Sequence, residues 1–282
     1  MPTLSMREEK KNGYVSSSKH HYWSIHQMSE KRLDVIISVV FFAIGFSPIT
    51  ALALAIIGVL PLPASTLLIV LSATALGLGL ALRFPYYGKL ALKGLIIGLI
   101  AVLLYDCMRV PFIVEHVWGD FIPNINKWLF NTSQPNWVVG YIWRYLGDGG
   151  FMGMAFTVGF CVLKPRVDSR IAGLIFGVAI WICLVLTLLL APYGQEMLFK
   201  LTLTTMSLSL VGHLIYGMAI GVLLPFVCRQ EIAGVALLQN AIVSSEDDWE
   251  ESTGEEKTIK LSPLLRLRPI WEQKTTPLPL GV

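Results

Sequence analysis

The sequence predicts an all-α integral membrane protein, a six-transmembrane-helix bundle with an amphipathic segment on its outer face. Three observations predict it. Only 15% of the 282 residues are charged while 54% are hydrophobic, against about 25% charged in soluble domains. Six stretches are apolar over the roughly 20 residues that cross a hydrocarbon core. The basic residues then sort onto one side of the resulting map, as membrane topology requires.

The first span is expected over residues 33–60. Pro48 inside it predicts a kink, because proline removes a backbone donor and crowds the preceding turn. Pro61 and Pro63 force a tight turn into the second span, 64–82. The third covers 90–109. A connection over 110–136 follows, rich in Trp and Phe. With Trp137, Tyr141, Trp143 and Tyr145 it forms an aromatic belt of the kind that sits at headgroup level, and a helical segment lying on the outer surface is expected there. The fourth span ends at Leu163 and begins between Trp137 and Gly149. The fifth covers 171–191 and the sixth 201–227.

Three parts result: an N-terminal tail (1–31), the six-span domain (32–228) and a C-terminal tail (229–282) with an acidic run, EDDWEESTGEE, at 246–256. With both termini cytoplasmic and the C-terminal tail set aside, the inner segments hold Arg7, Lys10, Lys11, Lys19, Lys31, Arg32, Arg83, Lys89, Lys93, Lys164, Arg166 and Arg170. The outer side holds only Arg109, Lys127, Arg144 and Lys200. The opening 31 residues are too polar for a cleavable signal, so the first span is expected to act as an uncleaved signal-anchor. A bacterial-type plasma membrane, or an internal membrane of similar kind, is the expected location.

Several classes of function are excluded or disfavoured. A net charge of +3 without a basic stripe argues against nucleic acid. Cys107, Cys161, Cys183 and Cys228 have no metal-ligand spacing and read as small apolar helix residues. Phosphate-binding loops, zinc-protease motifs, nucleophile elbows and dinucleotide fingerprints are absent, and the cofactor is left unknown. Among residues of ligating type, Glu115, His116 and Asp120 match no zinc pattern, and no metal site is expected. His20, His21 and His26 read as part of an interfacial tail.

Small residues recur at four-residue spacing: Ala73, Gly77 and Ala81; Gly94 and Gly98; Gly149 and Gly153; Gly173 and Gly177; Gly217 and Gly221. Such faces let helix backbones approach closely. GLIIG at 94–98 and FMGMAF at 151–156 recur in the same order as GLIFG at 173–177 and IYGMAI at 215–220. This predicts tandem helical hairpins in parallel orientation. The run HLIYGMAIG at 213–221 resembles a pattern of bacterial multi-pass membrane proteins of unknown activity, and the resemblance implies no chemistry.

Ionisable groups within a bilayer are costly and normally face a partner or a cavity. Asp106 and Arg109, three apart, share one helix face and can pair. Asp106 lies roughly 20 Å along the helix from Lys93, toward the outer edge of the hydrocarbon. Pro111 is then expected to end or kink the third helix. Arg144 and Asp148, four apart, stand beside Gly147, Gly149 and Gly150, where a helix break or close contact with another group is expected. Both pairs belong to the outer side and can form one four-charge cluster. His213, with Ser209 and Tyr216 a turn to either side, lies near the middle of the sixth span.

These six residues (Asp106, Arg109, Arg144, Asp148, His213 and Tyr216) are the candidate substrate-binding set. They favour a small-solute or ion transporter with a charged site toward the outer face. Two alternatives stand beside it: a structural or accessory subunit of a membrane complex, and an intramembrane enzyme or haem protein centred on His213. A bis-histidine haem lacks a second histidine within a span. The expected partners are the lipid bilayer and other membrane subunits.

Overall fold

The computed structural model describes residues 9–163 and 167–228, with side chains from residue 32 onward. The side chains of the N-terminal histidines, and all of Lys164, Arg166 and the tail beyond residue 228 with its acidic run, lie outside them. Six helices are long and apolar enough to cross a membrane: Arg32–Ile57, Leu62–Arg83, Pro85–Val114, Trp137–Leu163, Ser169–Leu190 and Leu203–Val227. The first belongs to a helix that extends back to Glu9. The end of the bundle holding Arg32, Arg83 and Val227 is called proximal below, and the opposite end distal.

The helix ends follow from local chemistry. Gly58, at φ +84°, makes the reversal after the first span, and Pro61 and Pro63 open the second. Asn136 caps the fourth span by accepting from Val139 N at 3.2 Å. Asp168 caps the fifth by accepting from Arg170 N at 2.8 Å. Thr202 and Thr205 form a reciprocal capping box on the sixth. At the proximal end the Tyr87 hydroxyl donates to Asp34, tying the third span to the first.

Neither Pro48 nor Pro111 ends its helix. At Pro48 the carbonyl of Ile44 loses its helical donor, and the Ser47 hydroxyl donates to that oxygen instead at 2.7 Å. A buried backbone acceptor is thereby satisfied without water, which hydrocarbon cannot supply. The third helix likewise runs through Pro111 to Val114. The distal connection is therefore shorter than expected, 115–136. It carries a turn at Ile122–Asn124 and a six-residue helix, Ile125–Phe130, ended by Asn131 at φ +50°. Ile122 and Ile125 are buried beneath this segment while Phe130 faces outward. Trp118, expected in the interfacial belt, is instead buried against Phe199.

The fourth span is the central element. Its apolar stretch is 67% buried, against 11% for the second span and 22% for the fifth, which lie outermost. The third span packs on it through glycine. A methyl group on Gly98 would lie 2.2 Å from the Gly149 carbonyl oxygen, and one on Gly153 would lie 2.5 Å from that of Gly94. The fifth and sixth spans repeat the arrangement: a methyl on Gly173 would lie 2.2 Å from the Gly217 oxygen, and one on Gly177 would lie 2.3 Å from that of His213. The recurring motifs thus make the same glycine-to-backbone contact in both hairpins. Since lipid is as apolar as the side chains, close packing of this kind is what holds membrane helices together.

The fourth span does not break at its glycine cluster. Residues Trp143–Phe151 form a π-helix, wider than the α-helix on either side. Such segments recur at functional sites, and this one carries both Arg144 and Asp148.

Candidate functional site: a chain of five charges

The third span, 85–114, presents Asp106 and Arg109 on the face turned to the fourth span. Arg109 Nε lies 3.6 Å from Asp106 Oδ1. From the fourth span, Arg144 Nη2 donates to the same Asp106 oxygen at 3.2 Å. Arg144 also faces Asp148, at 3.9 Å. The two helical pairs anticipated by spacing therefore join through Asp106 into one cluster.

The cluster has a fifth member. Asp120, in the distal connection, accepts from Arg109 Nη2 at 3.0 Å. The Ile122 backbone N–H at 3.2 Å and the Tyr141 hydroxyl at 3.4 Å hold Asp120 in place. The charges alternate along the chain Asp120, Arg109, Asp106, Arg144, Asp148. Asp120 stood out in the sequence only as an acid in an aromatic loop. The turn that aims it inward has no local signature pointing to the third span. Glu115 and His116, of the same loop, are exposed and stand apart from it.

Aromatic rings insulate the cations. The Arg109 guanidinium lies 6.0 Å from the Trp118 ring and 5.9 Å from that of Phe121. The Arg144 guanidinium lies 4.5 Å from the centre of the Tyr105 ring, within reach of a cation–π interaction. Exposure is 3% for Asp106, 1% for Arg109 and 8% for Asp148. At such burial Coulomb interactions are screened far less than at a surface, and an unpaired charge would be correspondingly costly.

His213 and Tyr216 reach the cluster without entering its ion pairs. The Tyr105 ring that faces Arg144 meets His213 edge-on at 5.4 Å, and Gly212 makes room for it. His213 Nδ1 is 2.7 Å from the Ser209 carbonyl oxygen. A carbonyl only accepts, so Nδ1 carries the hydrogen and Nε2 is left as an acceptor. The Tyr216 hydroxyl donates to the Gly149 carbonyl at 2.7 Å, across to the π-helical segment. Tyr105 and Tyr141 were not anticipated as site residues. Tyr105 has one usable signal, its place one helical turn before Arg109.

Polar capacity remains unused inside. Asp106 Oδ2, Asp148 Oδ1 and Ser209 Oγ are buried and have no hydrogen-bond partner among the described residues. Native interiors rarely leave such groups unsatisfied.

Residues 89–232 match the model of a family of unknown function, DUF6789. The chain belongs to this family. No curated protein and no solved structure matches it. The DUF6789 segment takes in nearly all of the third span and the whole of the fourth, fifth and sixth. It contains both glycine-packed hairpins and all five charges, with His213 and Tyr216. The first two spans lie outside it.

Proposed function

We propose that this DUF6789 protein is a small-solute or ion transporter whose binding site is the charged cluster toward the outer face of the membrane. One observation carries the reading: five ionisable side chains from three separate elements converge in the buried distal half of the bundle. Each intramembrane charge costs at least a few kcal/mol to place. A scaffold gains nothing from them that apolar packing would not supply, since buried ion pairs are poor stabilisers compared with well-packed apolar side chains. The π-helical segment supports the same reading by putting Arg144 and Asp148 on backbone of unusual geometry.

The test is charge movement in proteoliposomes, recorded on a solid-supported membrane with sodium, potassium, chloride and proton gradients in turn. The wild type is expected to give a current with at least one of them. Asp148→Asn is expected to abolish it while leaving insertion and monodispersity intact. A variant that inserts, stays monodisperse and conducts like wild type removes Asp148 from the site.

The accessory-subunit reading has one observation in its favour. The second span is only 11% buried and turns Leu67, Leu68, Leu71, Leu78 and Leu82 outward. It requires co-purification with a second membrane protein in mild detergent and no current from the isolated chain.

A further inference from the structure

The charge count of the cluster is uneven: three carboxylates face two guanidinium groups. The geometry says which carboxylate is surplus. Asp120 has Arg109 at 3.0 Å, together with the Tyr141 hydroxyl and the Ile122 N–H. Asp106 touches both arginines, at 3.6 and 3.2 Å. Asp148 has one cation, Arg144, at 3.9 Å, beyond hydrogen-bond range, with the Trp143 indole of its own helix beside it; its Oδ1 is buried without a hydrogen-bond partner among the described residues, as is Asp106 Oδ2.

Resting on the transport reading, we propose that the ligand of this site is a proton, bound by the carboxylate of Asp148. A buried surplus charge needs a counter-charge, and two kinds can reach it. A hard metal cation demands a shell of several oxygens. Around Asp148 the Gly149 carbonyl is already engaged by Tyr216, and the Arg144 guanidinium stands where it repels a second cation. A proton needs a single lone pair and no shell, and Asp148 Oδ1 offers one.

The other groups around Asp148 leave it the odd one out. Tyr105, Asp106 and Arg109 face the site from the third span, Arg144 and Tyr145 from the fourth, Asp120 and Tyr141 from the distal end, and His213 and Tyr216 from the sixth. The first span packs Pro48 against Gly147 and brings no ionisable group there. The fifth brings none to this face either: Gly173 and Gly177 meet the sixth span through backbone alone. With Asp148 neutral the cluster balances, two negative charges against two positive. With Asp148 ionised it carries one negative charge.

Dicyclohexylcarbodiimide, an apolar reagent that forms a stable adduct with protonated carboxyl groups inside membranes, reads this directly. The full-length protein in liposomes is treated in acidic and in alkaline buffer, with and without sodium, and the adduct is mapped by mass spectrometry. The expected result is modification at Asp148 and not at Asp106 or Asp120, several-fold greater in acid, unchanged by sodium and absent from Asp148→Asn. No adduct at Asp148 in monodisperse protein overturns the proposal, as does an adduct that ignores pH. Protection by sodium at fixed pH overturns it in favour of a metal cation. A pH-dependent adduct without flux of any ion sinks the transport reading and leaves the proton site standing. Flux without the adduct does the reverse.

Discussion

Arg109 is the most enclosed charge in the cluster, 1% exposed and shared between Asp106 and Asp120. Arg109→Leu leaves the Asp106 and Asp120 carboxylates facing each other without the cation between them. Breaking a buried pair by removing one partner costs about 3–5 kcal/mol, so the variant is expected to lose a large part of its thermal stability in detergent, as followed by tryptophan fluorescence on heating. Arg109→Lys keeps the charge but not the fork that serves two acceptors, and is expected to fall between the two. At this scale the sequence is a partial guide. The pairs Asp106–Arg109 and Arg144–Asp148 were legible because helical spacing alone brings them together. The link between them, Arg144 to Asp106, depends on how the third helix is set against the fourth, which no local spacing encodes. Asp120 was illegible as a member for the same reason.

That setting is decided by glycine. Gly98 and Gly149 bring two backbones so close that a single methyl has no room. Gly98→Ala would put a carbon 2.2 Å from the Gly149 oxygen and is expected to cost about 1–3 kcal/mol, the usual range for overpacking. Gly79, on the outermost helix, meets nothing within 4 Å, so Gly79→Ala is expected to leave the melting temperature unchanged or slightly raised. Equal effects of the two substitutions would mean that close backbone contact does not hold the hairpin. Four-residue glycine spacing made these faces legible in advance, and the prolines were legible as perturbations. Their outcome was not. The Ser47 hydroxyl repairs the carbonyl that Pro48 orphans, and the helix continues. The glycines near Asp148 widen their helix rather than break it, because a bilayer penalises any backbone group left without a partner.

Across the whole molecule, the two hairpins repeat a contact and not a chemistry. Gly98 meets the Gly149 oxygen in one, and Gly177 meets the His213 oxygen in the other. His213 therefore stands where the first hairpin has glycine. The first hairpin and its connection carry all five charges, and the second contributes only neutral polar groups, His213 and Tyr216. Short motifs recurring in the same order made the duplication legible, while its asymmetry needed the packed structure. The orientation we propose rests on the basic residues alone and can be checked. In a cysteine-free background, Ser133→Cys in the distal loop is expected to react with an impermeant maleimide from outside the cell. Val167→Cys, between the fourth and fifth spans, is expected to react only after permeabilisation. The reverse pattern would invert the map and place the charged cluster toward the cytoplasm.

The widened turn of the fourth helix has a further consequence. That helix is docked twice. Near its distal end, Gly140 seats against the backbone of Ile122, where a methyl would come within 2.1 Å of the carbonyl oxygen. Farther along, Gly149 and Gly153 seat against the third helix. Each dock dictates the rotational phase of its own stretch, and the wide turns of Trp143–Phe151 begin between Gly140 and Gly149. An α-helix advances about 100° per residue, so two fixed docks rarely fall in phase on a uniform helix. The wide turns take up the remainder, like a vernier between two scales. One residue removed from this segment would rotate one half against the other, and one of the two docks would let go.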